Sequence, residues 1–163
     1  MKKTIATLAL IFALQGVYAQ SIDDLFNRYK EKEGAEYVSI PSFLIKHGHQ
    51  FMDKEDKDYR LIKGVNSVKT LDMEDCSSEV KESFLKDANK LNLSGYETLV
   101  QTKEKGETVK LIAKMDKEAI RELIILITGN EECGLTLLEG KLMKEDINMI
   151  MTEDKIIYIV LTI

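Results

Sequence analysis

Residues 123–127 read Leu-Ile-Ile-Leu-Ile, an unbroken run of aliphatic side chains closed by the turn residues Gly129-Asn130. The run is far short of the roughly 20 residues that a helix needs to cross a bilayer. In a strand, successive side chains point to opposite faces, so the run must be covered on both sides. It predicts the central strand of a sheet, and the rest of the chain has to supply the cover.

Its neighbours extend the sheet. Tyr96 to Lys103 and Thr108 to Lys114 flank the charged turn Glu104-Lys105-Gly106-Glu107, a hairpin whose glycine accepts the positive φ of a tight turn. Leu135 to Leu138 follows the Gly129-Asn130 turn, which makes four successive strands in an antiparallel meander. The first half is more helical. Ser21-Ile22-Asp23-Asp24 has the form of a capping box, and Ile22, Leu25, Phe26 and Tyr29 follow at helical spacing, with Gly34 expected to end the helix. Ala35 to Ile40 is a short β run stopped by Pro41. Ser42 is expected to cap a second helix carrying Phe43, Leu44, Ile45, Phe51 and Met52. One or two helical turns are expected over Tyr59 to Lys63, ending at Gly64. Val65 to Met73 is a strand candidate. Ser77 or Ser78 starts a third helix with Val80, Phe84, Leu85, Ala88 and Leu91 on one face. Met143 to Met151 reads as a short last helix. Lys155 to Ile163 reads as an apolar strand that would be a pairing hazard at a sheet edge, so it is expected inside the sheet or against a partner.

No internal repeat and no low-complexity linker interrupts this order. The expected architecture is α+β, a single domain with helices packed on one face of a mixed, largely antiparallel sheet.

The amino terminus predicts export. Met1-Lys2-Lys3 is cationic, Thr4 to Leu14 is apolar, and Val17 and Ala19 are the small residues that precede a signal-peptidase cut. Cleavage between Ala19 and Gln20 would leave residues 20–163 as one domain, with no membrane span and with Gln20 free to cyclise to pyroglutamate. The product is expected in the periplasm or secreted. A lipoprotein signal is not present, because the first cysteine is Cys76.

Charge narrows the partners. The net charge of −5 becomes more negative when Lys2 and Lys3 leave with the signal, and no basic stripe is present. Such a chain lacks the cationic surface that holds a phosphate backbone, so nucleic acid is not an expected partner. Cys76 and Cys133 would meet an oxidising compartment, where a disulfide persists. Closing their loop of about 57 residues would stabilise the fold by about 4 kcal/mol in the chain-entropy model, and two separate buried thiols are the alternative. No C-x-x-C redox pair exists.

The chain's two histidines, His47 and His49, flank Gly48. Two readings stand: weak metal-ligand candidates, imidazole being the commonest such ligand, or a solvated helix terminus. On a helix the two rings would point about 200° apart, and only an extended backbone would converge them on one ion. The Asp53-Lys54-Glu55-Asp56-Lys57-Asp58 cluster lacks the glycine and the ligand alternation of an EF-hand loop, and it reads as a solvated turn. Asp72, Glu74 and Asp75, and Glu131 with Glu132, could do acid-base work only if something fixed their separation. G-x-S-x-G, H-E-x-x-H, G-x-x-x-x-G-K and G-x-G-x-x-G are all missing. No catalytic residue, cofactor or bound metal is expected.

SIDDLFNRYKEKEGAEYVSIPSFL, SVKTLDME, SEVKESFLKDANKL and the stretch from YETLVQTKEKGETVKLIAKM to RELIILITGNEECGLTLLEGKL, taken in this order after the signal, resemble a family of small exported Bacteroidetes proteins catalogued as domain-of-unknown-function family 4252. The resemblance covers roughly Ser21 to Ile150. It implies an α+β domain in a Gram-negative envelope and carries over no catalytic or binding residue. Some members resemble lipoproteins, and this sequence departs from them in lacking the anchoring cysteine.

The functional expectation is an exported non-enzymatic envelope protein that binds a partner protein or envelope component, in envelope stress or maintenance. The alternatives are a small metal-dependent or acid-base hydrolase using His47 or His49, and a periplasmic small-ligand carrier, which would need a closed apolar pocket. Oligomeric state is left open.

Overall fold

Ser21 and Asp24 close a capping box at the start of helix α1 (Ile22–Tyr29): the Asp24 N–H donates to Ser21 Oγ at 3.1 Å and the Ser21 N–H donates to Asp24 Oδ2 at 3.0 Å. The computed structural model describes residues 20–48, 63–104, 106–143 and 145. Within α1, Ile22, Leu25, Phe26 and Tyr29 are all buried, as their spacing predicts. The helix stops before Gly34 and gives way to turns. Gly34 sits at φ +80°, and a side chain there would overlap the Asp75 carbonyl.

Strand β1 (Glu36–Ile40) ends at Pro41, and helix α2 (Ser42–Gly48) follows at once. The sequence reading needs correction here. Ser42 lies inside α2, and only Ile45 of its apolar residues is buried, while Phe43 and Leu44 are 60% and 50% exposed. The expected contributions of Phe51 and Met52, and the helical turns over 59–62, lie outside the described residues. Strand β2 (Val65–Asp72) matches expectation, and helix α3 (Ser78–Ala88) is capped by Ser77, whose Oγ accepts from the Val80 N–H. Phe84 and Ala88 are buried as expected. Leu85 is exposed, and the buried position beside it belongs to Asp87.

Strands β3 (Tyr96–Glu104), β4 (Glu107–Asp116), β5 (Ala119–Thr128) and β6 (Cys133–Met143) form the meander. Gly106 takes φ +93° in the first hairpin, as predicted. The β4–β5 hairpin is tighter and its strands longer than the apolar pattern suggests. Lys117, a non-glycine, takes φ 59° in the turn, and Arg121 donates to Asp116 Oδ2 across its base at 2.7 Å. Met143 belongs to β6, and the remainder of the expected last helix and the tail 155–163 lie outside the described residues, apart from Glu145.

The strands form one sheet in the order β1-β2-β6-β5-β4-β3, and every pairing is antiparallel. Among the described residues the sheet is thus fully antiparallel, where a mixed one was expected. The segment containing α3 carries the chain from β2 to the far edge at β3, and the meander then returns β6 to the open side of β2. β5 is flanked on both sides, and alternation divides it between two cores. Ile124 and Leu126 join Leu25, Phe26, Tyr29 and Phe84 of α1 and α3, while Leu123 and Ile125 join Ile45 of α2 with Val68 and Leu138. The expectation that all helices share one face is corrected accordingly, because α2 buries its one inward side chain in the second core. No helix among the described residues is long and apolar enough to cross a membrane.

Candidate functional site

The face that carries Ile125 and Ile127 opens, toward the β1 edge, into a cavity of about 200 Å³. Period-two alternation places Val38, Thr70 and Thr136 there as well, and the Thr70 and Thr136 hydroxyls meet at 3.1 Å. Four carboxylates surround this apolar floor: Glu36, Asp72, Glu74 and Glu132. Asp72 Oδ1 accepts from the Glu74 N–H at 2.8 Å, which fixes the turn after β2. Among the described residues, no lysine or arginine pairs with Glu36, Glu74 or Glu132. An apolar floor with a few convergent polar groups is the usual form of a binding site, and here the uncompensated charge is negative. Among the described residues β1 is one of the two edge strands, and Val38 on it is 43% exposed.

A more open groove of about 400 Å³ runs between α1 and α3, past Arg28, Tyr29 and Asp87. Its polar groups are occupied by one another. Asp87 Oδ2 accepts from Tyr29 Oη at 2.9 Å and Arg28 Nη1 at 2.6 Å, and Oδ1 accepts from Lys90 Nζ at 3.3 Å. Burial alone would raise the Asp87 carboxyl, but these hydrogen bonds outweigh it and hold the group below the usual carboxylate range. Burial and the neighbouring carboxylate push the Tyr29 hydroxyl well up. The arrangement pins α1 to α3 and leaves no group poised to exchange a proton near neutrality.

A third constellation crosses the α1/α3 face of the sheet. Ser67, Glu139, Glu122, Lys114 and Tyr96 are successive register partners on β2, β6, β5, β4 and β3. Ser67 donates to Glu139, Tyr96 donates to Glu122, and Lys114 Nζ reaches Glu122 Oε1 at 3.0 Å. Beyond the row, Lys69 pairs with Asp23 at 2.7 Å. For Glu122, burial works against ionisation, yet the bonds from Tyr96 and Lys114 keep its carboxyl low, while burial and Glu122 push Tyr96 up. Both shifts move away from neutral pH, which suits a fixed polar lattice and not an acid-base pair. The sequence hides this row because its members are scattered over five strands, and only the pairing register reveals it.

Of the residues singled out from sequence, Asp72, Glu74 and Glu132 meet at the cavity above, and only one of the two histidines lies among the described residues. His47 Nδ1 lies 2.9 Å from the Phe43 carbonyl oxygen four residues back, a contact made when Nδ1 carries the proton, and it serves the end of α2. His49 lies outside the described residues, as does Ala19. Among the described residues, no group of three or more His, Cys, Asp or Glu side chains is placed to hold a metal ion. Cys76 and Cys133 are brought together in the first core, both as buried free thiols. The Met73 N–H donates to the Cys133 carbonyl at 2.9 Å and the Cys76 N–H to the Met73 carbonyl at 3.1 Å. Burial pushes the Cys133 thiol up to about 11 and raises Cys76 as well. Gln20 is buried, and its Nε2 finds no hydrogen-bond partner among the described residues.

No curated protein and no solved structure matches the chain. Residues 29–150, which include every strand named above, match the family described as Domain of unknown function (DUF4252), and the chain belongs to that family.

Proposed function

We propose that this is an exported, non-enzymatic envelope domain that binds a partner protein, and that it takes an extended basic-apolar segment of that partner at the acid-rimmed cavity beside β1. The observation that carries the reading is the pairing of an apolar floor with carboxylates that have no cationic partner among the described residues. An edge strand next to such a floor suits β-augmentation, in which main-chain hydrogen bonds supply affinity and alternate side chains enter the floor. Exposed Phe43 and Leu44 on α2, which follows directly from β1, add apolar surface nearby in sequence. Export rests on the cationic, apolar and small-residue segments of residues 1–19. The Bacteroidetes envelope and a role in stress or maintenance belong to this same proposal. A small-ligand carrier is less well supported, since the cavity of about 200 Å³ is smaller than the roughly 300–1,000 Å³ usual for such sites.

The test uses defined peptides of alternating lysine and valine, against glutamate-valine controls, titrated into the full chain and followed by NMR. Shifts from the lysine peptide should centre on Val38, Thr70 and Ile127 and vanish in the Glu36→Lys/Glu132→Lys variant. Equal shifts from both peptides, or shifts elsewhere on the surface, would reject the site. Photocrosslinking from position 38 in the exported protein should then capture a partner that the double variant loses.

A further inference from the structure

The cavity beside β1 is built from two cross-strand rows. The inner row runs Val38, Thr70, Thr136 and Ile125 across β1, β2, β6 and β5, and the outer row runs Glu36, Asp72, Gly134 and Ile127. Gly134 leaves the outer row open in its middle. A Cβ there would lie 2.8 Å from the Leu71 carbonyl oxygen, so the sheet keeps this position without a side chain. The gap lies between Ile127 on one side and Asp72 on the other, and it leads from the floor of the cavity to its acids. Glu36 and Asp72 stand directly opposite each other on β1 and β2, which sets the bases of their side chains about 5 Å apart. Like charges so placed destabilise a sheet, and among the described residues neither has a lysine or arginine paired with it. Glu74 and Glu132 add further negative charge at the same end.

We propose that this cavity is the receptor for a single lysine side chain. The inference rests on the docking reading above and names which side chain of the bound segment is read. Successive residues on one face of a strand are about 7 Å apart, and an extended lysine spans about 6 Å from Cα to Nζ. A stem laid from the inner row to the outer one therefore covers the apolar floor and the gap at Gly134, and it brings the ammonium to Glu36 and Asp72. The two carboxylates are exposed, so the ammonium relieves their repulsion without leaving water. Its three donors diverge and can meet acids on several sides, whereas a guanidinium donates within one plane. A volume of about 200 Å³ takes one such side chain and falls below the roughly 300–1,000 Å³ of sites for free ligands. Norleucine would match the stem and leave the acid pair unrelieved, and acetylation of Nζ would remove the charge.

One titration separates this inference from the docking reading. The full chain receives the blocked pentapeptide acetyl-Val-Thr-Lys-Thr-Val-amide, or the same peptide with norleucine, arginine or acetyl-lysine at its centre, and the amide signals of Val38, Thr70 and Thr136 are followed by NMR. The lysine peptide should bind at least about tenfold more tightly than the norleucine and acetyl-lysine peptides, because several exposed ion pairs act together, and more tightly than the arginine peptide. Glu36→Gln, at the exposed rim, should weaken the lysine peptide by roughly 1.5- to fivefold and leave the norleucine peptide unchanged. Equal binding of the lysine and norleucine peptides at these three residues overturns the lysine receptor and leaves docking beside β1 standing. Arginine binding as tightly as lysine overturns the choice of an ammonium. Shifts confined to other surfaces, or none with any of the four peptides, overturn both readings.

Discussion

Asp87 is the hub that holds α1 against α3, and its replacement gives a magnitude that can be worked from the contacts. Its side chain is 13% exposed, while its ion-pair partners Arg28 and Lys90 are 54% and 65% exposed. Solvent screening leaves those two pairs about 0.2–1 kcal/mol each. The hydrogen bond from Tyr29 Oη, at 2.9 Å, is buried and goes to a charged acceptor, a class that contributes about 1.5–3 kcal/mol. Asp87→Ala should therefore cost about 2–5 kcal/mol, with Tyr29 Oη left buried and unpaired. At about 2–4 °C per kcal/mol for a domain of this size, the melting temperature should fall by on the order of 10 °C.

Urea unfolding of Asp87→Ala, Tyr29→Phe and the double variant closes a thermodynamic cycle, with an expected coupling of about 1.5 kcal/mol or more. Additivity within about 0.5 kcal/mol would refute the argument that this bond ties the helices together. The pH dependence has a definite sign. The folded Asp87 carboxyl lies below its unfolded value, so its stabilisation is complete above the ordinary carboxylate range and is lost as pH falls through the folded value. Asp87→Asn should flatten that acid limb.

Gly34→Ala should destabilise by about 2 kcal/mol or more, because a left-handed non-glycine residue alone costs roughly 1–2 kcal/mol and its methyl group would also overlap the Asp75 carbonyl; an unchanged urea midpoint would contradict this. Reduced protein should react with a thiol reagent at mildly alkaline pH only as fast as it unfolds, since Cys76 and Cys133 are buried and Cys133 is pushed up to about 11; rapid labelling of the folded chain would show that the thiols are accessible. Refolding the same protein in a glutathione redox buffer tests whether these co-located thiols join, which would remove both without glutathione adducts and add up to about 4 kcal/mol. Tyr96→Phe should raise the Glu122 carboxyl toward its ordinary value by removing one of the bonds that keep it ionised, and NMR titration of the Glu122 side chain reads this directly.

Much of the fold is legible in local pattern. The capping box at Ser21, the break at Pro41 and the Gly106 hairpin are decided within a few residues, and the structure has each where the sequence places it. The second and third helices mislead for one reason. Helical spacing identifies an apolar stripe but not whether a neighbour covers it, so Phe43, Leu44 and Leu85 are exposed although the pattern assigns them inward. Asp87 is missed for the converse reason: a charged residue looks solvated until its three donors arrive from α1 and its own helix end. The candidate cavity was half legible. Glu74 and Glu132 stand out as acids, but the turn after β2 and the start of β6 become neighbours only through the register that pairs Asp72 with Gly134.

What the sequence determined by itself is the set of elements and their caps, because φ restrictions, capping hydrogen bonds and side-chain periodicity act over one or two turns of chain. It also determined that Leu123 to Ile127 had to lie at the centre of something. Only the tertiary structure decided that β6 returns to β2, antiparallel like every described pairing of the sheet, and that α2 joins the core opposite α1 and α3. The same long-range register sets Ser67, Glu139, Glu122, Lys114 and Tyr96 side by side and draws four carboxylates around one apolar floor. Such placements depend on which strand lies beside which, a choice made by the burial of two whole faces at once.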